Sequence, residues 1–338
     1  MKSRLSFLRP LIYTTCGLLC SLAASQAERD KALILYCGRS ETLVGPLIKK
    51  FEEETQIDVR VRYGKTAELT ATLLEEGTRS PADLFFAQDA GALGALAKEN
   101  RLTPLPHDLL ERVDKRFRSK HGNWIGVSGR ARVIVYNTDR LKKEDLPQTI
   151  FGFCDPTWKK RIGWAPANGS FQAFVTALRV TQGNKKARQW LTCIQANEPN
   201  VYPKNTPIVA AVGAGEIDVG FVNHYYLFRF IAEHGKQFPA KNYVLHSGDP
   251  GALVNVAGIS ILDSSKRKES ANRFITFLLS KRSQTYFAEE THEYPLVSGV
   301  PASPNLIPLA SIQAPNIDLS DLEDLEGTLQ LLQELGIL

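Results

Sequence analysis

Cysteine is scarce in this chain, five in 338 residues, which is far too few for a disulfide scaffold. Proline and glycine are modest, at 18 and 24. No low-complexity run occurs, so collagen-like, linker-dominated and disordered architectures are excluded. Beyond residue 27 no stretch is long and apolar enough to cross a bilayer. Enzyme signatures are missing as well. Gly126-Val127-Ser128-Gly129 is followed by Arg130, where a nucleophile elbow requires glycine. There is no His-Glu-x-x-His pair, phosphate-binding loop or dinucleotide fingerprint. His224 and His234 are not tied into a metal triad, and no catalytic constellation stands out, so enzymatic activity is not expected.

What the chain does have is size and an apolar share of 43%, enough for a large core and for two lobes rather than one. Its net charge of +5 invites a nucleic-acid reading that the first residues remove. Lys2, Arg4 and Arg9 precede an apolar stretch from Leu11 to Ala24, and Ser25-Gln26-Ala27 offers a cleavage site. Residues 1–27 therefore read as a cleavable signal peptide, shorter than a membrane anchor needs. Cys20 follows Leu19, where lipidation wants a small residue, so a lipoprotein is disfavoured. Residues 28–338 keep 38 basic against 36 acidic residues, and a basic face for nucleic acid is no longer expected. An exported, soluble protein is.

Three cysteines remain after cleavage, at 37, 154 and 193. An oxidising compartment permits one bridge. Cys154 with Cys193 is the favoured pair, and three separate buried thiols are the alternative.

Along the chain, strands alternate with helices. Leu33 to Cys37, the period-two run Ile57 to Tyr63, and Ala82 to Ala87 read as strands; Val44, Leu47, Ile48 and Phe51 share one helical face. The segment Ile125 to Tyr136 is long enough to run from one lobe into another. Asp218 to Val222 reads as a strand ending at Asn223-His224-Tyr225-Tyr226. Ala271 to Leu279 and the acidic tail Leu319 to Leu335 read as helices. The fold class is α/β, with two lobes and a cleft between them, since open α/β sheets bind at strand carboxyl ends.

Tyr225 and Tyr226 are the strongest candidates for a ligand site. A phenol is neutral near pH 7, but a hard, highly charged cation such as ferric iron prefers oxygen donors and can displace the proton. Arg39 and Arg130 each follow glycine at the end of an apolar run and could grip a small oxyanion with their donor forks. Asn168-Gly169-Ser170 sits at a predicted helix start, where backbone N–H groups favour an anion. Tyr36 and Tyr202 are weaker metal-ligand candidates, and Ser40, Gln88 and Asn223 are expected cleft neighbours. Lys65 and Asp89 stand near strand ends, Asp89 as a possible helix cap.

An ordered set of segments carries a resemblance: Leu35-Tyr36-Cys37-Gly38-Arg39, Ser80 to Phe86, Ser128-Gly129-Arg130-Ala131-Arg132-Val133, Gly215 to Gly220 with Asn223-His224-Tyr225-Tyr226, and Glu293 to Val297. Together they resemble the ferric-iron-binding periplasmic proteins of bacterial ABC transporters. The resemblance implies a type II periplasmic-binding-protein fold, two α/β lobes joined by crossover hinge strands. It implies lobes of 28–128 plus 255–338, with the C-terminal helices packed back, and 129–254. It also implies Fe³⁺ held by Tyr225 and Tyr226, a carbonate or bicarbonate on Arg130, a periplasmic monomer, and an inner-membrane ABC permease as partner. The chain departs from many members at Arg39-Ser40, Gln88 and Asn168, where those have His, Glu and a third Tyr. It therefore looks closest to a subgroup without the His and Glu ligands. An oxyanion, a small organic anion or chelated iron is the alternative ligand.

Overall fold

A computed structural model describes residues 32–246 and 248–338. The expected signal peptide, Cys20 included, lies outside the described residues. Among these, the strands are Leu33–Cys37 (β1), Val59–Tyr63 (β2), Leu84–Ala87 (β3), Leu102–Thr103 (β4), Ile125–Asn137 (β5), Ile162–Trp164 (β6), Asn200–Val201 (β7), Val219–Asn223 (β8), Ala240–Tyr243 (β9), Val254–Leu262 (β10) and Tyr294–Pro295 (β11).

β1 pairs in parallel with β2 and β3, as strands separated by crossover helices must. The helix Glu41–Thr55 connects the first pair and buries Leu43, Val44, Leu47, Ile48 and Phe51 on one face. Phe51 meets Phe274 edge-on at 4.9 Å, tying that helix to Lys268–Leu278. The strand-to-helix turn after β1 is tight. A Cβ at Gly38 would lie 2.1 Å from Thr66 Oγ1, so no larger residue fits there.

β5 joins the lobes. It has 13 residues, all buried, and at about 3.3 Å per residue it reaches roughly 40 Å. Up to Ala131 it pairs antiparallel with β10; from Arg132 onward it pairs with β8 and β9. The partner switch falls between adjacent residues, Ala131 opposite Val254 and Arg132 opposite Asn223. β8 then continues through β6 to β7 in parallel. The hydrophobic interior divides accordingly. One cluster gathers Leu35, Phe86, Val127 and Ile259. Two others, around Phe171, Trp190 and Phe221 and around Ile208, Val212 and Val222, fill the second lobe.

Cys154 and Cys193 form a disulfide with a Cα–Cα separation of 5.2 Å, inside the normal range. Cys37 is the free thiol, and burial pushes its pKa up to about 12.

The acidic tail departs from the sequence expectation twice. It is not one helix: a 3₁₀ turn, Leu319–Glu323, is followed by a separate α-helix, Leu325–Glu334. Asp324 breaks the run because its side chain accepts the Gly327 N–H as a helix cap. Nor does the tail stay with the first lobe. Leu319 and Leu322 join the first cluster, whereas Leu331 and Leu332 join the second. Arg179 pairs with Asp324 at 2.7 Å, and the Thr176 and Thr328 hydroxyls meet at 2.8 Å, fixing the last helix to Gly169–Gln182. The tail thus spans the two lobes.

Candidate functional site: a tyrosine pair over three buried arginines

Among the described residues, seven helices begin at the interlobe cleft. Its lining includes Ser40, Thr66, Asp89, Gly169, Lys204, Tyr226 and Leu325, each at or beside the first residue of a helix. The cavity is about 350 Å³. Helix starts present unpaired N–H groups and partial positive charge, so the unadorned cleft favours anions. The lobes approach closely: a Cβ on Gly169 would lie 3.8 Å from Asp89 Oδ2 on the facing lobe.

Tyr225 and Tyr226 follow β8 after His224 and open the helix Tyr226–His234. Their rings stack with centroids 4.3 Å apart and planes 28° apart, so the two phenols, adjacent in sequence, share one site. Tyr225 is buried and Tyr226 half-buried at the cleft surface. Burial, then the neighbouring Tyr225, push the Tyr226 pKa well above the ordinary phenol value, with Arg130 and Arg39 acting in the opposite direction.

Three guanidiniums lie behind the pair. Arg39 ends the turn after β1 and pairs with Glu293, which also accepts the Ser128 hydroxyl. Burial works against the Arg39 charge, but Glu293 and the two tyrosines outweigh it and raise its pKa. Burial likewise opposes the Glu293 charge, yet Arg39 and then Arg130 hold that carboxyl below its ordinary value. Arg130 is buried in β5, and one Nη donates to the Val256 carbonyl at 3.3 Å. Its Nε and other Nη, with the Arg39 Nε, have no partner among the described residues.

Arg132 is the residue that sequence reasoning missed. It is buried, reaches Ser170 Oγ at 3.4 Å and Asn223 Oδ1 at 3.5 Å, and lies over the Phe174 ring at 5.5 Å. Burial and the like charge of Arg130 depress its pKa to about 9, while Tyr226 and Tyr225 act the other way. The signal was present: Arg130 and Arg132 are two apart on a strand and therefore share a face. Asp89 is more than a cap. It accepts the Ala92 N–H at 3.2 Å, and Arg130 acts against the burial that raises its pKa. Three guanidiniums against Glu293 and Asp89 leave an excess of positive charge.

Of the remaining expected residues, Ser40, Gln88 and Asn168 line the cleft. Asn168 caps the helix Gly169–Gln182, its Oδ1 accepting the Ser170 N–H at 3.0 Å and hydroxyl at 2.6 Å. Asn223 Oδ1 accepts from Arg132, and its backbone N–H donates to Asn205 Oδ1 at 3.2 Å. Tyr36 and Tyr202 are not brought to the pair. The Tyr36 hydroxyl donates to Glu76 at 2.9 Å and accepts from Arg62 at 3.1 Å, which holds it on another face of β1. Tyr202 packs its ring toward Gly163 in the third hydrophobic cluster, although Lys204 beside it lines the cleft.

Two α/β lobes, a crossover strand and a polar cleft ringed by helix starts define a bilobed solute-binding protein. The chain belongs to the bacterial extracellular solute-binding proteins, whose family profile matches residues 46–314. It is 32% identical to the Fe(3+)-binding periplasmic protein of Serratia marcescens over the full length of both. It is 34% identical to the major ferric iron-binding protein of Neisseria meningitidis, over 93% of this chain and 95% of that one. Among solved structures, iron-bound HitA from Pseudomonas aeruginosa superposes with a TM-score of 0.85 at 33% identity, covering 90% of this chain and 99% of HitA. The Trichodesmium protein IdiA (FutA), in complex with iron and citrate, superposes with a TM-score of 0.78 at 28% identity, covering 90% and 99%. These are binding proteins, not enzymes.

Proposed function

We propose that the protein is the periplasmic receptor of a ferric-iron uptake system, taking Fe³⁺ between its lobes on Tyr225 and Tyr226 and passing it to an inner-membrane ABC permease. The observation that carries this reading is the stacked tyrosine pair set against buried guanidiniums. Among the described residues no group of three or more His, Cys, Asp or Glu could hold a metal. Phenolate oxygen is therefore the available anionic donor, and a trivalent cation is what deprotonates a phenol whose pKa is raised by burial. Arg130, Arg39 and Arg132 hold the charge of a small anion, carbonate or bicarbonate, that completes the iron's oxygen shell. The unpartnered guanidinium nitrogens of Arg39 and Arg130 support this placement, since buried donors without acceptors are costly. No helix among the described residues is long and apolar enough to cross a membrane, and the relatives' names support a periplasmic location.

A second reading is that iron enters as a chelate. The cavity of about 350 Å³ exceeds what one ion and carbonate fill, and Lys65, Lys204, Gln88 and Gln172 line it. A polycarboxylate would meet these donors, and the Trichodesmium protein is in complex with both iron and citrate.

The test is the visible spectrum. Ferric iron with bicarbonate added to metal-free protein gives a tyrosinate-to-iron charge-transfer band, and Tyr226→Phe abolishes it. A band that forms only with ferric citrate selects the chelate. No band with either, and no change in thermal stability, overturns both.

A further inference from the structure

A second cavity lies behind the lobe crossover and measures about 620 Å³, within the usual range for small-molecule sites. Val133, Leu227 and Ala240 line one side and belong to the second lobe's interior. Tyr294 and Leu306 line the other side and belong to the first lobe's interior. A molecule seated here would touch both lobes.

Its chemistry differs from that of the cleft. Phe228, Ile231, Phe238 and Val244 are only partly buried, and Ile307 at its edge is 41% exposed. This leaves apolar surface that an occupant would remove from water. Lys236 and Lys241 are exposed at the rim, and neither pairs with a carboxylate among the described residues. Asn242 donates its amide N–H to the His224 carbonyl at 2.8 Å, while its buried Oδ1 has no partner.

From the apolar walls and the two unpaired ammonium groups we infer a second ligand site, one for an amphiphilic organic anion. Its apolar or aromatic body fills the pocket and its single carboxylate or sulfonate sits at Lys236 and Lys241. A bare oxyanion would leave the walls wet, and a cation would be repelled at the rim. The helix Tyr226–His234 links this site to the cleft: Tyr226 lines the cleft, and Leu227, Phe228 and Ile231 line this site.

The probe is 1-anilinonaphthalene-8-sulfonate, titrated into the intact metal-free protein by fluorescence, with decanoate as competitor. Saturable one-to-one binding displaced by decanoate is expected. Lys236→Glu with Lys241→Glu weakens it by about tenfold, and Ile307→Ser lowers both affinity and enhancement. These are surface changes, and an unchanged melting temperature confirms that each variant is folded. N-phenyl-1-naphthylamine, which has the same apolar body without charge, should bind alike to wild type and the charge-reversed protein. Tyr226→Phe leaves the titration unaltered, which separates this site from the proposed iron site. Absence of saturable binding overturns the inference. So does equal affinity of wild type and the double lysine variant, or indifference to Ile307→Ser.

Discussion

Arg39 and Glu293, separated by 254 residues, form a wholly buried ion pair that joins the turn after β1 to the residue before β11. Neither charge would be tolerated there alone. The pair places one guanidinium behind the tyrosines and holds it against the first lobe's half of β5 through Ser128.

Glu293→Gln should therefore cost about 3–5 kcal/mol in urea or thermal unfolding, because it strands the Arg39 charge. The pH dependence has a definite sign. The Glu293 pKa is lowered on folding, so its contribution is complete above the ordinary glutamate value of 4.5 and is lost as pH falls through the lower folded value. Wild-type melting temperature should drop over that acid range more steeply than that of Glu293→Gln. Parallel curves would contradict the assignment.

Arg132→Met should do the opposite for metal-free protein. Replacing a buried guanidinium that has no carboxylate partner among the described residues with an apolar side chain is expected to stabilise by about 1–4 kcal/mol. The same variant should bind iron more weakly in the presence of bicarbonate. Gains in apo stability and losses in affinity, measured by calorimetry on one sample, check both halves.

Tyr225→Phe and Tyr226→Phe remove one hydroxyl each and keep the ring stack. Each should weaken ferric binding by at least roughly 100-fold, beyond what supporting residues around a metal usually contribute, with little change in apo melting temperature. Competition against a chelator of known strength measures it. Retained affinity in both variants would remove the phenolates from the iron's ligand set.

Reducing the Cys154–Cys193 bridge opens a loop whose ends lie 39 residues apart. Loop-closure entropy then predicts a loss of about 4 kcal/mol. Cys154→Ala with Cys193→Ala should unfold at correspondingly lower denaturant and no longer respond to reductant, whereas Cys37→Ala should keep the wild-type response.

Much of this protein was legible in order along the chain. Strand and helix periodicities are local, so β1, β3 and β5 and the helix Glu41–Thr55 could be read from their own residues. Tyr225 and Tyr226 were visible because adjacency in sequence already brings them together. The tail was misread as one helix because leucine spacing runs through Asp324, whose capping bond depends on where the chain turns.

Sequence by itself determined the alternation of strands and helices, the length of β5, and the residue types able to meet a hard cation or an anion. These follow from periodicity and side-chain chemistry, which need no knowledge of distant partners. Tertiary structure alone decided that Arg132 joins Arg39 and Arg130 behind the tyrosines, that Glu293 balances one of the three charges, and that Tyr36 is held by Glu76 and Arg62. It also decided that the tail spans both lobes. Each of those facts depends on which strands pair and which way their side chains alternate, and pairing between segments hundreds of residues apart leaves no local trace.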